Sequence, residues 1–165
     1  MGQCLMANPA QKTKDNFPAF KKLGAQMALK SVFVGVPADT SEQRQGEPIN
    51  NATLAYIHQN GSPAKNIPAR PFMTIGMAEA KEPATKQMEN GAKKFFKSKD
   101  VNDIQQALGK AGFVAENAIK RAINSNIQPS LANATLAARK RRGRTGANTL
   151  VDTGALRNSI KYVIR

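Results

Sequence analysis

Apolar positions follow a helical period over most of the chain and alternate in two short stretches near its ends. Phe17, Phe20, Leu23 and Met27 recur at three to four residues, which predicts a helix with one buried stripe. Asn16 is its candidate cap, Pro18 is tolerated in its first turn, and Gly24 weakens its interior. Ser31–Val36, SVFVGV, alternates β-branched residues with Phe33 on the opposite side, predicting a strand buried at least partly on both faces. Residues 38–48 are polar and read as a long loop.

Leu54, Ala55, Ile57 and His58 are spaced as on a helix, with Asn50 and Asn51 as candidate caps. Gly61 in a left-handed conformation, followed by Ser62-Pro63, stops it. A further helix is expected over about Met77–Lys97, either kinked at Pro83 or regular only from Glu82. Its buried face is Met88, Ala92 and Phe95. Val101–Asn124 carries the most continuous stripe, Ile104, Leu108, Ala111, Ala115, Ile119 and Ala122, with Gly109 and Gly112 permitting close approach to a neighbour. After Pro129, Ser130 is expected to cap a short helix through Ala138. Leu150–Gly154 turns the chain, and Asn158–Ile164 alternates as a last strand. Helices between an early and a final strand predict an α+β fold: a small antiparallel sheet, first strand paired with last, packed by several helices. Residues 1–14 read as a flexible lead-in, and 15–165 as a single domain.

Two segments interrupt the periodic pattern. Asn66–Phe72 holds two prolines that fix the backbone and bias the preceding residues to extended geometry, giving a stiff arm with Arg70 and Phe72 near its end. Such an arm is either a tight surface turn or an anchor, with Arg70 binding a carboxylate and Phe72 filling a neighbour's pocket. Arg139, Lys140, Arg141, Arg142 and Arg144 form the densest charge cluster and, with the glycines that follow, predict an unpacked basic loop over 139–149. It is a solvated loop, a phosphate-binding element facing DNA, or a grip on an acidic protein rim. No aromatic residue is interleaved with it, which argues against a platform for stacking single-stranded bases.

Net charge of +14 strengthens the polyanion reading, for DNA or for an acidic protein surface. The chain has no apolar run of about 18 residues, so no membrane span is expected, and its first residues resemble neither a secretory signal nor a myristoylation site. One Cys (Cys4) and one His (His58) form no metal cluster and no internal disulfide, as suits assembly in a reducing cytoplasm. His58, Ser62 and Asp152 can be written as a triad, but no nucleophile-elbow pattern surrounds them; phosphate-loop and dinucleotide motifs are absent too. The sequence therefore predicts no enzyme, no cofactor and no metal.

The segments Ala55–Gly61 (AYIHQNG), Ile67–Phe72 (IPARPF) and Leu150–Ile160 (LVDTGALRNSI) resemble, in this order, the neck or tail-completion proteins of tailed bacteriophages. That resemblance runs from about Val32 onward. It implies an α+β fold assembled into rings, six-fold or twelve-fold, at the virion's head–tail junction after assembly in the host cytoplasm. The implied partners are further copies of the chain, adjoining head-completion, connector and tail proteins, and genomic DNA passing non-specifically through the channel. It favours the anchor reading of the arm, so Ile67, Pro68, Arg70, Pro71, Phe72, Asp152 and Leu156 are the expected subunit interface. Arg139, Lys140, Arg141, Arg142 and Arg144 are then expected to face DNA or an acidic partner. The alternative is a sequence-independent DNA-binding protein acting through that basic loop.

Overall fold

The computed structural model describes residues 17–37 and 49–165. The lead-in with Cys4, the Asn16 cap and the 38–48 loop lie outside the described residues, as does the side chain of Met27. In chain order the elements are α1 (Phe17–Leu29), β1 (Val32–Gly35), α2 (Asn51–Asn60), a 3₁₀ turn (Pro63–Lys65), α3 (Phe72–Ser98), α4 (Asn102–Asn124), α5 (Asn133–Arg141), α6 (Ala155–Ser159) and β2 (Lys161–Ile164). The fold is mixed helix and sheet, as the pattern predicts.

The α3–α4 hairpin is its frame. Gly76 lies against Ile119, and Gly91, nearer the connection, lies against Ala107, so the two helices run antiparallel. A Cβ on Gly76 would sit 2.5 Å from the Ile119 Cα, and contact this close is open only to glycine. Along the stripe read from the sequence, Ile104, Leu108, Ala115, Ile119 and Ala122 are all buried. Around the hairpin, Phe72, Ile119, Ile123, Leu150, Leu156 and Ile160 form one apolar cluster, and Leu23, Phe95, Ile104 and Leu108 form another. Each such large side chain contributes about 1.5–3 kcal/mol by burial.

α3 starts at Phe72, earlier than expected, and runs unbroken through Pro83. Proline in a helix interior costs about 3 kcal/mol or more, which the long contact with α4 offsets. In α1 the stripe is only partly buried: Leu23 is enclosed, whereas Phe17 and Phe20 are exposed, Phe20 stacking on Phe96 at 6.2 Å between ring centres. Asn50 caps α2, its Oδ1 accepting from the Thr53 N–H at 2.8 Å. Gly61 closes α2 with φ of 77°, but its ψ of 176° is outside the left-handed helical region expected.

β1 and β2 pair antiparallel in the register Val32↔Ile164, Phe33↔Val163, Val34↔Tyr162 and Gly35↔Lys161. Backbone bonds between Ser31 and Arg165, 2.6 and 3.0 Å, extend the ladder. α4 covers one face, where Tyr162 and Val32 close on Gly112. On the other face Phe33 is 59% exposed, while the Gly35 position meets the Met73 side chain, so among the described residues β1 is less covered on this side than on the α4 side. A carboxylate fastens sheet to helix. Glu116, buried in α4, accepts from the Tyr162 N–H at 3.0 Å through one oxygen and pairs with Lys120 at 2.6 Å through the other.

The final strand begins at Lys161 rather than Asn158, because Ala155–Ser159 closes a helical turn that drives Leu156 into the core. Ser130 caps nothing: α5 begins at Asn133, with Ala132 in the cap position and no side-chain cap bond.

Candidate functional site

A cleft of about 940 Å³ opens between α2, the segment that follows it, the loop before α5, α5 itself and the turn before α6. Leu54, Ile67, Leu131 and Leu156 give it apolar wall, and His58, Arg139, Arg142 and Asp152 give it polar wall. Of the residues expected at a subunit interface, Ile67, Pro68, Arg70, Asp152 and Leu156 line this cleft. Pro71 and Phe72 do not.

The segment 66–72 is not a projecting arm. After the 3₁₀ turn, Asn66 takes a left-handed conformation and Ile67 bridges back to Ser62, which turns the chain inward. Arg70, only 4% exposed, is folded into its own chain. Its Nη2 donates to the Pro129 carbonyl at 2.7 Å and its Nε to the same oxygen at 3.2 Å, with a longer contact to the Ser130 carbonyl. Its backbone N–H donates to the His58 carbonyl at 2.7 Å. Burial depresses the guanidinium pKa from its usual value. Phe72 is fully buried in the core. The anchor chemistry read from the sequence is therefore present but directed inside: Arg70 clamps the chain leaving α4, and Phe72 seats the start of α3.

The basic cluster also packs more than charge repulsion alone predicts. Arg139, Lys140 and Arg141 form the last turn of α5, where cations are favoured by the helix dipole. Arg139 is 7% exposed and donates through Nη1 to the carbonyls of Gly146 and Asn148 at 3.0 and 2.7 Å. Asp152 spans two guanidiniums, one oxygen 3.6 Å from Arg139 Nε and the other bonded to Arg144. The stretch after it is tied down as well. Asn148 Nδ2 donates to the Asn124 carbonyl at 2.9 Å, and the Thr149 hydroxyl donates to the Ile127 carbonyl at 3.0 Å. Lys140, Arg141 and Arg142 point to solvent, and Arg142 reaches the cleft rim.

His58 and Asp152 share the cleft while Ser62 does not line it, and both Asp152 oxygens already take a guanidinium. Among the described residues no group of three His, Cys, Asp or Glu is placed to hold a metal ion, and no helix is long and apolar enough to cross a membrane. The arrangement is suited to holding an extended segment: a half-apolar trough, a guanidinium at the rim, and the uncapped start of α5 along one wall. The sequence reading missed Glu116, Asn148 and Thr149. The first had a signal, since a carboxylate beside Ala115 and Ile119 sits against the buried stripe of α4. No family model, curated protein or solved structure matches the chain. The likeness to neck and tail-completion proteins therefore rests on its sequence blocks alone.

Proposed function

We propose that the chain is a structural subunit of a tailed-phage virion, forming a ring at the head–tail junction and working by binding rather than catalysis. The observation that carries this reading is the cleft: it gathers residues from both separated blocks, Ile67–Arg70 and Leu150–Leu156, into one trough beside exposed positive charge. A segment of an adjoining subunit fits such a trough, with an acidic side chain meeting Arg142. The net charge of +14 suits a ring through which DNA passes without its sequence being read. Ring closure repeats each modest contact around the axis, so assembly is steep in subunit concentration.

The test is an electron micrograph of a lysate from a phage lacking this chain. The proposal expects filled heads and separate tails that fail to join, or tails of aberrant length; intact infectious particles refute it. A second reading, sequence-independent DNA binding, is favoured by the exposure of Lys140, Arg141 and Arg142 at one end of α5. It predicts normal joining with a defect in replication or packaging, so the same lysate separates the two.

A further inference from the structure

A second groove, on a different surface, runs between α3 and α4. One part is a depression of about 470 Å³ lined by Gln87, Gln106, Gly109, Lys110, Phe113 and Tyr162. It continues into a notch sharing Gln87, Gln106 and Lys110 and adding Asn90 and Lys94. Phe113 is 59% exposed, and the Tyr162 ring lies across the bare backbone of Gly109 and Gly112. Lys94 and Lys110 form no ion pair among the described residues. Asp103 is the acid that lines the notch, and it takes a hydrogen bond from Ser98.

We propose that this groove binds single-stranded nucleic acid, a base stacking on Phe113 and the backbone phosphates running over Lys110 and Lys94. Exposed π surface, amides and unpaired cations along one channel are what an unstacked strand offers partners for. Charge complementarity selects a polyanion over the apolar face of another basic copy, since each copy carries a net charge of +14. A duplex keeps its bases stacked on one another and presents no face to Phe113, so the groove distinguishes the two forms. The basic cluster at Arg139–Arg144 lacks aromatic residues and plays no part in this preference.

Fluorescence anisotropy with a labelled oligothymidylate of about 12 nucleotides, beside a duplex of equal length, tests it. Phe113→Ala should weaken the oligothymidylate about 5- to 150-fold while leaving duplex affinity unchanged. Phe113→Leu, which keeps apolar bulk without a π face, should do the same, and circular dichroism checks that both variants fold. Joint replacement of Lys94 and Lys110 by Gln should reduce the slope of log K against log salt by about 1.4. Oligothymidylate binding indifferent to both Phe113 variants overturns the proposal, as does an equal loss for single strand and duplex. A change confined to self-association in sedimentation assigns the groove to protein contact and overturns it as well. None of these outcomes depends on the ring reading, which the phage lysate tests separately.

Discussion

Gly91→Ala is the sharpest probe of the α3–α4 frame. The new methyl would stand 2.2 Å from the Ala107 Cβ and 3.3 Å from the Asp103 carbonyl. Methyl carbons do not approach this closely, and neither can rotate away, so the helices must separate. Overpacking of this kind costs about 3 kcal/mol, offset by about 1 kcal/mol of better helix propensity. The net loss is about 2 kcal/mol, equivalent to a Tm lower by about 4–8 °C. Ala107→Gly alone should cost a similar amount, from lost propensity and one unfilled methyl site. The swap, Gly91→Ala with Ala107→Gly, returns a methyl to nearly the same space from the opposite helix and cancels the propensity terms. It should lie within about 1 kcal/mol of the parent, a coupling of about 3 kcal/mol in a double-mutant cycle. Urea denaturation followed by circular dichroism measures all four proteins. A neutral Gly91→Ala, or a swap as unstable as the two losses combined, refutes the close helix contact.

Other perturbations test the clamps. Arg70→Ala leaves the Pro129 carbonyl without its guanidinium and should cost about 2–3 kcal/mol in the same denaturation assay, with Arg70→Lys recovering little because an ammonium cannot match the fork. Arg139→Gln should destabilise by about 2 kcal/mol, whereas Lys140, Arg141 and Arg142 changed together to Gln should stay within about 0.5 kcal/mol of the parent and instead weaken duplex binding as read by its salt dependence. Gly112→Ala should detach the sheet from α4, its Cβ meeting the Tyr162 ring at 2.5 Å, with amide exchange of β1 and β2 rising before that of α3.

The sequence shows most clearly what local period decides. The α4 stripe and the Asn50 cap follow from spacing and composition, and the structure contains both. The antiparallel pairing of the first and last strands is also present, although spacing predicts only the strands and not their long-range partnership. Side-chain partners distant in sequence are not legible in the same way. Arg70 reads from the sequence as part of a surface turn or as an anchor for a carboxylate, because its actual acceptors, Pro129 and Ser130, lie far along the chain where no local rule reaches. Charge repulsion alone predicts an unpacked basic cluster, but Asp152 binds two of its arginines and the end of α5 favours cations. The onset of α3 was displaced because two prolines dominate the local reading, while the burial of Phe72 is what fixes the first turn. The blocks that build the cleft were thus visible, but which of their side chains turn inward was not.

The way the sheet closes sets an order of events for folding. α3 and α4 are joined by the short connection at 99–101, so their contacts form between neighbours in the chain and need little loop closure. β1 must find β2 across the whole intervening chain, Val32 against Ile164, and that search is rewarded only once α4 offers Gly112 and Glu116 as a seat. The helical hairpin is accordingly expected to form first and the sheet to close last. In chevron plots, substitutions between α3 and α4 act on the refolding limb, and those in β1 or β2 on the unfolding limb.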